Sequence, residues 1–406
     1  SAVDSWQFCA KIGRQFMKGW GANLDRDLCE CKTALLTAIQ GLDSGADTSG
    51  ISSDEWMLRY DLEDQLATIY TDEEAYWRLC GTQRWVLRGD ANTAYFQAIA
   101  NGRRRRNSIH CLWDGDSQLV RPSDIRTHVD GFYKALFSPT PRGGIALAPD
   151  TWSGAQLVSV ADNAALVAPF SEEEVEKIMK SMPLDKAPGP DGITGRFYAA
   201  CWNIIRQDFM RAFDTFYQAD MRGLTVLNKA IVTLLPKKEG AVDIKDFRPV
   251  SLVHGAIKIF DKVFASRLAA ELPFLVGNHQ SAFVKGRSIH DNFMLVQCTA
   301  RRLHALREPA VMLKLDISKA FDSVQWPFWV LQHMGFGPRW RSWIRGILST
   351  STTKVMVNGD PGDTIYNCKG LRQGDPISPM LFILTMEPMQ KMMQLAVTRG
   401  VMAPLA

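Results

Sequence analysis

The 406-residue sequence has no cysteine framework, no long apolar run and no strong charge of either sign, and each lack removes a class of protein. Its eight cysteines are scattered. The one close pair, Cys29 and Cys31, has neither a zinc-ribbon spacing nor a matching second pair, which argues against structural zinc and against a disulfide-stapled secreted domain. Free thiols fit a reducing compartment, so an intracellular protein is expected. Ser1 to Trp6 carry neither the charged n-region nor the apolar h-region of a secretory leader, and no initiating Met is present, so the chain reads as a fragment or an excised reading frame. The most apolar late stretch, Ile377 to Met386, falls far short of the ~20 residues of a membrane span and contains Pro379, so no membrane role is expected. A formal net charge of +4 permits a nucleic-acid partner without requiring one, and the local distribution of charge must decide.

What is present suffices for two or three domains: 46% of the residues are hydrophobic. Leu58, Leu62, Leu66, Ile69 and Trp77 recur at helical spacing between acidic residues and predict a long amphipathic helix over about 54–80; residues 5–40 also look helical. The pattern breaks at Gly89-Asp90, where Asp90 is placed to cap a short helix through Tyr95 and Phe96 that ends near Asn101-Gly102. Arg103, Arg104, Arg105 and Arg106 follow and lead into a hairpin, Ile109 to Trp113 and Gln118 to Val120, with Asp114-Gly115 as its turn signal. Four consecutive guanidiniums suit phosphate contacts as well as they suit a solvated face. Residues 138–168, rich in Pro, Gly, Ala and Ser without periodicity, predict a flexible linker with a domain boundary near 165. Ser171-Glu-Glu-Glu174 is a capping box that starts a helix through Met182.

Chemistry concentrates after residue 184. Asp185-Lys-Ala-Pro-Gly-Pro-Asp-Gly192 packs two prolines and two glycines into eight residues and must be a constrained loop. A strand-like run, Ala230 to Leu235, leads through Pro236 to Lys237 and Lys238, and Phe247-Arg-Pro-Val-Ser-Leu252 follows. A lysine point charge and the planar fork of Arg248 on either side of a loop suit a triphosphate, although surface charges on a hairpin would look the same. Val311 to Ile317 alternates with period two, which predicts a strand with Val311, Leu313 and Leu315 on one face and Met312, Lys314 and Asp316 on the other. A carboxylate at such a strand end, before Lys319-Ala-Phe-Asp322, suits metal-dependent phosphoryl transfer, whereas a lone Asp there is commonly a turn or cap residue. Gly370-Leu-Arg-Gln-Gly-Asp-Pro-Ile-Ser-Pro379 then precedes an apolar helix from Met380 to Met392.

Taken in order, Ala187-Pro-Gly-Pro-Asp-Gly192, Phe247-Arg-Pro-Val-Ser-Leu252, Gln280-Ser-Ala-Phe283 with Gly286-Arg287, Leu315-Asp-Ile317 with Ala320-Phe-Asp322, and Leu371-Arg-Gln-Gly-Asp-Pro376 resemble successive motifs of the non-LTR reverse transcriptases. The stretch through Trp85, Gly89 to Thr93, Tyr95-Phe96 and Arg103 to Arg106 resembles the segment between endonuclease and polymerase in plant LINE proteins. The resemblance implies an α+β chain: a helical, basic linker region over 1–137, a flexible linker over 138–168, and the fingers and partial palm of a right-hand polymerase over 169–406. It implies RNA-templated DNA synthesis with an RNA template, a DNA primer and deoxynucleoside triphosphates as partners, and two Mg²⁺ or Mn²⁺ ions.

By that similarity Asp316 is the first catalytic carboxylate and, with the carbonyl of Ile317, a metal ligand. Phe321 occupies the place of the aromatic steric gate against a 2′-hydroxyl. Arg248, with Lys237 or Lys238, matches the triphosphate clamp. Gln373 approaches the nucleotide sugar and Gly374 lets the backbone come close. Arg372 and Asp375 orient that loop, Asp322 starts a helix behind the site, and Lys285, Arg287 and His290 suit template phosphates. The family's second catalytic element contains Asp-Asp, and this sequence has no Asp-Asp pair. The expectation is therefore a chain that stops before that hairpin and the thumb and is inactive alone. A non-catalytic nucleic-acid-binding remnant is the alternative; a group II intron-like maturase should add a basic splicing domain.

Overall fold

A computed structural model describes residues 2–81, 93–140, 149–152, 157–218, 223–309 and 311–402. Trp85 and the expected cap at Asp90 lie outside these residues. The chain divides into two compact units, residues 8–109 and residues 1–7 with 110–406.

The first unit is helical. Helices α1 (Ala2–Ser49) and α2 (Ser53–Gly81) join through Gly50, whose φ of +76° makes the turn, and Ser52, which forms a reciprocal capping box with Glu55. Lys32 donates to both oxygens of Glu73 at 3.0 and 2.8 Å, and Arg59 ties Asp43 to Glu63 at 2.7 Å each. These pairs run in opposite senses along the two helices, so the helices are antiparallel. Helix α3 (Thr93–Asn107) does not stop at Gly102 but carries all four arginines to its end. Arginine is a good helix former, and cations are favoured beside the C-terminal carbonyls.

The second unit opens with a hairpin, β1 (Leu112–Asp114) and β2 (Ser117–Leu119). Asp114 pairs with Ser117, so the two-residue turn is Gly115-Asp116, one position later than the sequence suggested, with Gly115 supplying the positive φ of +59°. Helix α4 (Pro122–Phe137) begins on proline and buries Ile125, Val129, Tyr133 and Phe137 at four-residue spacing. Then come α5 (Val160–Leu166), α6 (Glu172–Lys180), α7 (Gly195–Tyr217), α8 (Leu224–Leu227), β3 (Lys229–Pro236), β4 (Phe247–Val253), α9 (Gly255–Leu275) and α10 (Ile289–Leu306). The short α11 (Ala320–Ser323) and α12 (Phe328–His333) precede α13 (Pro338–Ser349), β5 (Thr352–Val357), β6 (Asp360–Pro361), β7 (Ile365–Tyr366) and α14 (Ser378–Thr398).

Three expectations fail here for physical reasons. Where it is described, the segment expected to be a flexible linker packs into the fold. Trp152, Val158 and Leu166 are buried, Val158 N–H donates to Met334 O at 3.0 Å, and Ser159 and Asp162 form a full capping box on α5. The box expected at Ser171 is half made: Ser171 accepts from Glu174 N–H, but the Glu174 carboxylate is taken by Arg267 at 2.7 and 2.8 Å. A bidentate guanidinium partner outcompetes a single cap amide. Residues 311–317 form no strand. Their apolar side chains stand in solvent, Val311 at 96% exposure and Leu313 at 77%, and no ladder among the described strands includes them. Alternation alone does not hold a strand whose backbone groups lack a neighbour.

The sheet runs β4-β3-β5-β6, with β7 also on β5; β3 is antiparallel to β4 and parallel to β5. Behind it an aromatic core joins α7, α9 and α13: Phe213 stacks on Phe260 at 3.8 Å between centroids, and Phe264 packs against Trp340 and Trp343. The architecture is mixed α+β, as expected.

Candidate active site

The pleat of β3 and β4 decides what faces what. Val232 pairs with Ser251 and Leu234 with Pro249 on one side; Thr233 pairs with Val250 and Leu235 with Arg248 on the other. Against the first side lies the loop 370–376. Gly370 N–H donates to Val324 O at 2.8 Å, Leu371 N–H to Phe321 O at 2.7 Å, and Ser251 N–H to Gln373 O at 3.1 Å. The loop thus bridges the turn after residue 319 and strand β4. Glycine is required twice: Gly370 has φ +82° and a Cβ there would lie 2.8 Å from Asp322 O, while Gly374 has φ +102°.

Arg372 anchors the loop from below. Its guanidinium donates to the Asn228 side chain at 2.5 Å and carbonyl at 2.7 Å and to Thr352 O at 3.2 Å. Asn228 is fully buried and itself donates to Ile347 O and Thr350 Oγ1. Nothing in the sequence marked this asparagine, a lone polar residue before an apolar strand. At the other end of the site Asp191 accepts from Ile193 N–H and Gly255 N–H and lies 3.2 Å from His254 Nδ1, so the proline-glycine loop caps α9. Gly189 passes so near β4 that a Cβ would meet Val253 O at 2.2 Å.

Asp322 is buried at 5% exposure. Desolvation pushes its carboxyl up to about 6, partly opposed by the charges of Lys319 and Lys237. Lys319, at φ +50°, lies with Nζ 3.9 Å from the centroid of the Phe132 ring, and burial lowers its pKa. Of the two lysines left open by the sequence, Lys238 is paired with Asp246 at 3.0 Å, whereas Lys237 donates to Lys245 O at 2.6 Å and its charge acts on Asp322. The structure therefore brings Lys237, Lys319 and Asp322 together. Arg248 is exposed and projects from the opposite pleat to Ser251, so it is not gathered to the side that holds Gln373.

Phe321 is half-buried and stacks on Phe382 of α14 at 4.8 Å and 16°. Asp316 and Ile317 are exposed and line a groove with His279, Gln280, Phe382 and Glu387. The Glu387 carboxyl accepts from Gly277 N–H at 3.3 Å, and burial raises its pKa. Among the described residues no three His, Cys, Asp or Glu side chains converge as a metal site. Asp316 and the Ile317 carbonyl, with Glu387 committed elsewhere, do not by themselves fit two divalent ions.

One further expectation changes. Arg287, expected at template phosphates, is engaged within the protein: its terminal nitrogens donate to the carbonyls of Gly277 (2.6 Å), Pro273 (2.8 Å), Gln280 (2.9 Å) and Val276 (3.0 Å), closing the end of α9. Helix-end and loop carbonyls gathered at one point are a natural target for a forked donor. Lys285, two residues earlier, remains exposed. Arg103 to Arg106 are exposed in the helical unit.

Residues 235–402 match the family of the reverse transcriptase (RNA-dependent DNA polymerase). That stretch is therefore similar to a reverse transcriptase domain, and the relatives it matches are proteins of transposable elements. It is 32% identical over 309 residues to the transposon TX1 uncharacterized 149 kDa protein of Xenopus laevis, covering 74% of this chain and 23% of that protein. It is 27% identical over 317 residues to the retrovirus-related Pol polyprotein from type-1 retrotransposable element R2 of Nasonia vitripennis, covering 77% and 29%. With the RNA-directed DNA polymerase from mobile element jockey of Drosophila melanogaster it shares 24% identity over 213 residues, covering 52% and 23%. The chain spans about a quarter of the length of these relatives.

Proposed function

We propose that this chain supplies the fingers and part of the palm of an enzyme that copies RNA into DNA for a non-LTR retrotransposon, of the plant LINE branch on the resemblance around residues 85–106. The observation that carries the reading is the docking of the 370–376 loop, by backbone hydrogen bonds, on both Phe321 and Ser251. Such a joint presents Gln373 and the exposed backbone of Gly374 next to strand β4, where a nucleotide sugar could come close. Lys237 and Lys319 supply positive charge near that joint, which suits a triphosphate, while Arg248 stands on the opposite pleat of β4. The partners on this reading are an RNA template, a DNA primer and deoxynucleoside triphosphates, with two Mg²⁺ or Mn²⁺ ions in the working enzyme.

Because the described carboxylates do not fit two ions, the chain taken alone is proposed to bind and not to extend. The test is a fluorescence-anisotropy titration of an RNA–DNA primer-template, followed by incubation with Mg²⁺ and deoxynucleotides. Salt-sensitive binding without extension is expected. Absence of binding would refute the polymerase reading; extension that disappears in Asp316→Ala would show that other ligands complete the metal site. Binding without nucleotide discrimination, even when the chain is extended with a catalytic hairpin and thumb, would favour a decayed nucleic-acid-binding remnant.

A further inference from the structure

Asp261 sits on the inward face of α9 between Phe260 and Val263 with no exposed surface. Neither carboxylate oxygen meets a donor among the described residues. The group against it is another carboxyl, that of Asp375 in the 370–376 loop, itself 7% exposed and with Oδ1 unpartnered. Two ionised carboxylates in contact out of water repel each other and leave buried acceptors unsatisfied. A single proton between them removes both faults, because it cancels one charge and provides the missing donor.

We propose that Asp261 is a positioning residue that holds a proton and donates it in a hydrogen bond to Asp375, thereby fixing the Gln373–Gly374 turn against β4. The direction of the equilibrium agrees: burial first, and then the neighbouring Asp375 charge, push Asp261 well above the carboxylate range, and Arg372 only partly pulls it back. Of the other charges, Asp322 and Lys369 line the same cavity as Asp375 and Arg372. Lys258, a turn earlier on α9, faces Asp191 and Asp375. Glu174 of α6 is held by Arg267, Asp162 of α5 acts on Glu271, and Glu387 of α14 accepts from Gly277. Arg372 and Lys258 both act on Asp375, whereas of these two only Arg372 acts on Asp261, so the proton is assigned to Asp261. The turn is then held at three points: Arg372 on Asn228, Gln373 O on Ser251, and Asp375 on Asp261.

That the turn serves a nucleotide rests on the function proposed above; the proton does not, so the two can fail separately. The experiment uses the full chain with isotope-labelled aspartate. Infrared spectra at pH 7 should show a protonated aspartyl carbonyl band that is missing in Asp261→Asn. Hydrogen exchange at the Ser251 amide should stay slow in Asp261→Asn, whose amide donates to Asp375 at any pH, and should quicken at least tenfold in Asp261→Leu. In the wild type that protection, corrected for intrinsic exchange, should fall as the pair ionises at alkaline pH, and in Asp261→Asn it should not. An unchanged acid band in Asp261→Asn, or equal protection in the Asn and Leu variants, would overturn the assignment. If Asp261→Leu does not fold, the band and the pH profile of Asp261→Asn decide.

Discussion

Replacing Asp322 by Asn removes an ionisable group from a buried position while keeping its size and polarity. In the folded chain the carboxyl is displaced from its ordinary 3.8 to about 6, first by desolvation and in spite of Lys319 and Lys237. At about 1.4 kcal/mol for each pH unit, ionised Asp322 costs the folded state about 3 kcal/mol. The sign follows from the order of ionisation. Below about pH 4 the carboxyl is protonated in both folded and unfolded chains and nothing is lost. As pH rises, the unfolded chain ionises first, so stability falls until about pH 6 and is then constant. Asp322→Asn should therefore be more stable than the wild type by about 2 to 3 kcal/mol at pH 7.5, and the gap should close towards pH 4. Urea midpoints across that range measure it, and the raised carboxyls of Asp261 and Glu387 cancel because both proteins carry them. A gap independent of pH, or a less stable Asn variant at pH 7.5, would mean that Lys237 and Lys319 hold Asp322 ionised and that the desolvation argument is wrong.

Arg287→Ala should destabilise the second unit by about 3 kcal/mol or more, since several carbonyls lose charge-assisted bonds, and Lys should not rescue it; urea unfolding tests this, and RNA affinity measured under folding conditions should be unchanged. Gly189→Ala drives a Cβ to 2.2 Å from Val253 O, backbone against backbone, and should lower stability by at least about 1 to 3 kcal/mol; an unaltered melting temperature would show that the loop can shift. Changing Arg103 to Arg106 together to Ala should reduce the slope of log affinity for RNA against log salt by up to about 3, at roughly 0.7 for each phosphate contact with a single strand. Identical slopes would leave the arginines as a solvated face.

The sequence revealed the helices and the motif order more readily than the hydrogen bonds that assemble them. Strand β3 was legible because Ala230, Val232 and Leu234 alternate into the core, and α2 because its leucines keep helical spacing. Strand β5 was not noticed, since Thr352, Thr353 and Lys354 look polar although both threonines are buried. Arg287 looked like a surface charge because sequence spacing does not reveal which carbonyls a guanidinium will meet. Asp261 did carry a signal, a lone carboxylate among Ile257, Ile259, Phe260, Val263 and Phe264, yet its partner lies in a loop more than a hundred residues away. Local pattern finds faces; it does not find long-range polar partners.

The open stretch from Val311 to Ile317 bears on how this chain behaves in a tube. Seven residues with exposed apolar side chains, without proline and with no neighbouring strand among the described residues, offer a ready template to a second molecule. Lys314 and Asp316 are the only charges within it and act as gatekeepers against stacking. Self-association should therefore rise with concentration and with salt, which screens those two charges. An added hairpin able to pair with the stretch should keep the protein soluble by occupying the same edge.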